Sequence, residues 1–127
     1  MDIVYHYPPE LLQLLIDVIP RLIRSKNDVI IFFRGAGVPS DCYADLEQRV
    51  RTDRENLNKF EIARTVLTRL NERGESALRE RRELLKRVVE FEDFSTAWAN
   101  DQLRAKGLVA EIRGYPRKAG HRMPSGR

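Results

Sequence analysis

The sequence predicts an all-α protein, a compact bundle of about six helices. Three observations carry that expectation. Apolar residues recur at the three- and four-residue spacing that gathers them on one side of a helix. No stretch alternates apolar and polar residues as a half-buried strand would. Capping residues and glycines fall between the periodic segments in the order that starts and stops helices. The 127 residues suit one domain with one modest core, and 42% apolar against 33% charged content is that of a folded chain.

The first helix spans Pro9 to Arg24, with Gln13, Asp17, Arg21 and Arg24 on one polar face. Pro8 and Pro9 suit its entry, and Pro20 predicts a kink because the polar face keeps its phase across it. A second helix covers Val29 to Arg34, with Asn27 or Asp28 as its N-cap. A third follows from "PSDCYADLEQRVR", capped by Ser40 or Asp41, with Tyr43, Leu46 and Val50 inward. "TDRENLN" is a polar joint. Lys59 to Glu72 is the fourth helix, with Phe60, Ala63, Leu67 and Leu70 as a stripe that Ile62 and Val66 widen. Gly74 ends it. "ESALRERRELLKRVVEFED" predicts a long fifth helix with Leu78, Leu85, Val88, Val89 and Phe91 inward. A sixth, capped near Ser95, carries Trp98, Leu103, Leu108, Val109 and Ile112.

"DVIIFFRGAGVPSD" admits a second reading, as a buried strand feeding a phosphate-cradling loop. Gly35 and Gly37 match the start of a dinucleotide fingerprint, but Ser40 stands where its third glycine belongs. Pro39 removes a backbone donor, and the Gly-Lys-Ser/Thr of a P-loop is absent. Glycine followed by proline is instead the expected end of a helix. The segment reads as a helix-to-helix corner, anchored to the core by Phe32 or Phe33.

The net charge of +4 suggests nucleic acid until it is located. Four of the 23 basic residues, Arg117, Lys118, Arg122 and Arg127, lie in "GYPRKAGHRMPSGR", which holds no acid. The remaining 19 face 19 acids in residues 1–113, so the body is neutral. Gly114 and Pro116 are expected to break the last helix, leaving residues 114–127 as a basic, disordered tail beyond a single helical domain of residues 1–113. A single cysteine, Cys42, excludes an internal disulfide and fits a reducing cytoplasm. The N-terminus shows no secretory signal, and no apolar run approaches the ~20 residues of a membrane span.

No constellation of catalytic or metal-ligating residues stands out. His6 and His121 lack a His or Cys partner at ligand spacing, and Cys42 has no neighbouring base. Glu90 to Asp93 is acidic, yet reads as the junction of two helices. A restriction-type nuclease core needs an acid followed by Glu-x-Lys to hold Mg²⁺ and the phosphate, and no Glu-x-Lys or Asp-x-Lys occurs. The expectation is a protein with no cofactor, no metal and no reaction of its own.

The charged strip from Arg73 to Glu90 is the remaining candidate. Arg73, Arg79, Arg81, Arg82, Lys86 and Arg87 alternate with Glu75, Glu80, Glu83 and Glu90, and Glu75–Arg79 and Glu83–Arg87 have the spacing of helix ion pairs. A solvated, self-paired face accounts for most of this. The candidate contact residues are Arg73, Arg79, Arg81, Arg82 and Arg87, with Arg34 beside the glycine corner.

Three stretches also carry a family resemblance: "YPPELLQLLIDVIPRL…DVIIFFRGAGVP", "NKFEIARTVLTRLNERGESALRERRELLKRVVEFEDFSTAW" and "NDQLRAKGLVAEIR". Together they resemble, over roughly residues 7–113, the N-terminal helical region of bacterial restriction-endonuclease-like proteins of the Mrr type. In longer members of that family a nuclease domain follows. None of its nuclease residues maps onto this sequence. The resemblance therefore implies an adaptor that positions, regulates or recruits an effector in defence against phage or foreign DNA. Its architecture is expected to be similar to the death-fold-like adaptor domains of such systems. A protein partner, either an effector or a second copy, is the first expectation, and a DNA-binding module that targets a nuclease is the alternative.

Overall fold

The computed structural model describes residues 7–94 and 97–122, with side chains to Tyr115. His6, the expected cap Ser95 and Arg127 lie outside the described residues, as does the side chain of His121. Among the described residues there are six α-helices, short 3₁₀ turns and no strand. The all-α bundle is thus the fold of this chain.

Helix α1 (Pro9–Leu22) opens with a proline in its first turn, where a missing N–H leaves no partner wanting. It continues through Pro20, which lies so near the end that few intrahelical bonds are at stake. Lys59 caps this end by donating to the Ile23 carbonyl at 2.8 Å, and burial lowers the affinity of that ammonium for its proton. Leu15, Ile19 and Leu22 are wholly buried, and α1 packs against both α4 (Lys59–Glu72) and α6 (Ala99–Arg122).

Helix α2 (Lys26–Gly35) begins three residues before the expected Val29. Ser25, not Asn27 or Asp28, is the N-cap, its hydroxyl accepting from the Asp28 N–H at 3.0 Å. At the other end the Val38 N–H reaches back to the Phe33 carbonyl at 3.2 Å, and the Gly37 N–H to Arg34 at 3.0 Å. This is a Schellman closure, with Gly37 supplying the left-handed conformation at φ +92°. Its hydrophobic partners, Phe33 and Val38, are both buried. The corner is a helix cap, and Phe33 is its anchor.

The third helix starts later than expected. Ser40–Cys42 forms a 3₁₀ turn, its two bonds running from Cys42 to Pro39 and from Tyr43 to Ser40, so α3 spans only Ala44–Thr52 and Ser40 and Asp41 do not cap it. Helix α4 has the predicted bounds. Asn58 caps it by accepting from Glu61 at 2.8 Å, and Ile62, Ala63, Val66, Leu67 and Leu70 are buried. Helix α5 (Leu78–Val89) is shorter than predicted because Gly74, at φ +60°, leads into a 3₁₀ turn over Gly74–Ala77. It buries Arg81, Leu84 and Val88, whereas Leu85 and Val89 are only half-buried.

Helix α6 begins at Ala99 and runs through Gly114 and Pro116 to Arg122, across the break the sequence predicts. Ala105, Leu108, Val109 and Ile112 face the core. Trp98, expected on this helix, stands just before it and is 50% exposed, and Leu103 is 82% exposed. Leu103 lies about 140° around the helix from Leu108, so the two cannot face one neighbour. No helix among the described residues is long and apolar enough to cross a membrane.

Candidate interaction surface

The arginines that looked like a charged face divide, on folding, into three groups. The first ties helices together. Arg69 of α4 grips Asp45 of α3 with both terminal nitrogens, at 2.7 and 3.0 Å, and also donates to the Cys42 carbonyl at 3.0 Å. The paired guanidinium holds the Asp45 carboxyl below its usual range. Arg73, at the end of α4, reaches Asp41 at 2.8 Å. Arg34 bonds to Glu47 and lies 5.5 Å from the centre of the Tyr43 ring. These contacts strap α2 and α4 to the segment carrying Asp41, Asp45 and Glu47. Beneath them Cys42 is fully buried, which raises the pKa of its thiol and removes it from solvent.

The second group closes helix ends from within. Arg87 bonds to Glu83 at 2.7 Å, one turn earlier on α5, and lowers the pKa of that carboxyl. Arg87 also lies beside the α2 corner, where an added Cβ on Gly35 would come within 3.2 Å of its guanidinium. Arg113 of α6 donates to the Val89 and Phe91 carbonyls at 2.6 and 3.0 Å, closing the end of α5. Arg81 is 2% exposed and donates to the Leu70 carbonyl at 3.0 Å. Its other terminal nitrogen and the Glu80 Oε1 are buried without a hydrogen-bond partner among the described residues. Burial lowers its pKa. Arg81 therefore cannot be a contact residue: α5 turns its side chain inward in phase with Leu84 and Val88.

Arg79 and Arg82 form the third group. Both are exposed, and neither takes part in an ion pair or hydrogen bond among the described residues. Helical spacing sets Arg79, Arg82 and exposed Lys86 within about 60° of one another on the outside of α5. Of the six sequence candidates, then, Arg34 and Arg73 hold the α2–α3–α4 corner, Arg87 is paired at its edge, and Arg81 is core. Among the described residues, Arg79 and Arg82 are the two of these six that stand outward without an ion pair or hydrogen bond.

Two exposed features escaped the sequence reading. Trp98 stands half out of the surface with the Arg24 guanidinium 4.8 Å from its ring centre, tying the end of α1 to the start of α6. Nearby, Arg21 bonds to Asp101 at 3.2 Å and lies 5.2 Å from the centre of the Phe60 ring. Leu103 is bare. Its phase against Leu108, Val109 and Ile112 was the available signal. No group of three or more His, Cys, Asp or Glu side chains among the described residues is arranged to hold a metal ion. The chain matches no family model, no curated protein and no solved structure.

Proposed function

We propose that this chain is a non-enzymatic adaptor that acts by protein–protein contact, presenting the outer face of α5 to an acidic surface on its partner. The observation that carries this is the sorting of the arginines. Most are tied within the fold, while Arg79, Arg82 and Lys86 stand together and outward. Such a ridge steers and orients an acidic partner more than it adds raw affinity. Exposed Glu75 and Glu90 flank the ridge, which suits a patterned protein surface better than a uniform phosphate rail. The resemblance to the front region of Mrr-type restriction proteins makes the partner an effector of a bacterial anti-phage system, and the compartment the cytoplasm.

The test is co-expression with the products of the genes on either side of this reading frame, followed by affinity purification. The chain is expected to retain one such product, and R79E/R82E/K86E to lose it with unchanged thermal stability. Retention by that variant would overturn the α5 surface. The alternative, a DNA-binding module that targets a nuclease, draws on the helical course of α6 into its basic C-terminal residues. It predicts salt-dependent binding to duplex DNA that survives the α5 substitutions.

A further inference from the structure

The outer face of α2 and the basic ridge on α5 meet at a glycine. Asn27, Asp28, Ile31, Arg34 and Gly35 are exposed and share one side of α2, an arc of about 120°. A Cβ added to Gly35 would come within 3.2 Å of Arg87 Nη1, so the Arg87 guanidinium lies where a side chain at position 35 would stand. Glu83, one turn back along α5, holds Arg87 in place. No side chain at Gly35 therefore separates the two helix faces. One surface runs from Arg79, Arg82 and Lys86, across the Glu83–Arg87 pair, to Gly35 and Ile31.

The charges at this junction are paired off. Arg87 is on Glu83, and Arg34 turns the other way, onto Glu47 and the Tyr43 ring. What α2 adds to the surface is apolar. Ile31 is 47% exposed and stands one turn, about 6 Å, before Gly35. Within α2 the core is supplied by Val29, Ile30 and Phe33, and not by Ile31. A β-branched residue is also a poorer helix former than the lysine, glutamate or glutamine usual at an outward position. Exposed Asp28 closes the apolar end of the surface with negative charge, as Glu75 and Glu90 flank the ridge.

We infer that the partner contributes an acidic segment with an apolar side chain at one end, the acids lying on Arg79, Arg82 and Lys86 and the apolar group on Ile31. This rests on the reading of α5 as a contact face and adds an anchor to it. The two parts do different work. Exposed ion pairs are screened and contribute little affinity, though they steer and orient the encounter. An aliphatic contact withdrawn from water slows the departure of what has been steered in. A nucleic acid would offer phosphates to the ridge but no side chain to Ile31.

Fluorescence anisotropy of labelled synthetic peptides with the full chain tests it. One peptide carries a run of glutamates in a glycine–serine background, and two others add leucine at one end or the other. The acidic peptide is expected to bind weakly and to be released by salt. The better of the leucine peptides should bind about tenfold tighter. I31Q should erase that gain and leave the affinity of the acidic peptide unchanged, while I31L should keep the gain. R79E/R82E/K86E should bind none of the peptides. Leucine peptides no tighter than the acidic one, or a gain that survives in I31Q, would overturn the Ile31 anchor and leave the ridge standing. A parent chain that binds no peptide would overturn the ridge, and the anchor with it.

Discussion

Tyr7 shows how one residue can hold the start of the chain against two helices. Its backbone N–H donates to Asn71 Oδ1 at 2.6 Å, and Asn71 returns a bond to the Tyr7 carbonyl at 3.1 Å. Its hydroxyl donates to the backbone carbonyl of Arg81 at 2.7 Å. Burial raises the pKa of the phenol far above its ordinary 10.0. In the unfolded chain the proton leaves near that ordinary value, while in the folded chain it stays. The contribution to stability is therefore complete below pH ~10 and is lost as pH rises further, by up to ~1.4 kcal/mol per pH unit. Tyr7→Phe is expected to cost about 1 kcal/mol at pH 7 through the missing hydrogen bond. Above pH ~10 the variant should lose stability less steeply than the parent, so the gap closes or inverts. Urea unfolding at a series of pH values reads both effects. Parallel pH profiles would remove the buried phenol from the account.

At the scale of the element, the two kinds of glycine make opposite predictions from one substitution. Gly37 sits at φ +92° in the closure of α2, where a side chain strains the backbone even though its surroundings are open. Gly37→Ala should destabilise the fold by about 1–2 kcal/mol. Gly107 lies in the middle of α6 with equally open surroundings, so Gly107→Ala should stabilise the fold by about 1 kcal/mol. Thermal melts of the two variants separate the cases. The same contrast explains what the sequence made legible. The α2 corner and the bounds of α4 rest on local signals, a glycine–proline sequence and an asparagine cap, and these survive folding unchanged. The phase of α5 does not. Leu84 and Leu85 are adjacent, and only the inward turn of Arg81, four residues after the buried Ala77, decides between them. An arginine scores as surface in any pattern, so the pattern favoured Leu85 and left Arg81 outside. Folding sets a long aliphatic stem and one donated bond to Leu70 against the cost of burying its charge. For the contact surface, sequence spacing located Glu83–Arg87 but not Arg69–Asp45 or Arg73–Asp41, whose partners lie far apart along the chain and meet only across helices.

For the whole molecule, the question is how much of α6 belongs to the fold. Helix α1 packs against both α4 and α6, so removing α6 would strip one side of the central helix. Leu108, Val109 and Ile112 are each 1% exposed or less, and burying such side chains stabilises by roughly 1.5–3 kcal/mol apiece. Their combined contribution is comparable to the ~5–15 kcal/mol by which a domain of this size is stable. Arg113 adds its two bonds to the end of α5, and half-buried Tyr115 packs against the core's edge. The sequence places the domain boundary at residue 113, and the helical backbone of α6 runs past it to Arg122. A chain ended after Tyr115 is expected to unfold cooperatively, within about 0.5 kcal/mol of the full chain. A chain ended after Gln102, which loses Ala105, Leu108, Val109, Ile112 and Arg113 together, should show no cooperative transition. Urea titrations followed by circular dichroism distinguish them. If ending the chain at Tyr115 weakened folding as severely as ending it at Gln102, the basic residues beyond would be part of the domain, and the neutral body with its separate positive extension would not be the right division of this molecule.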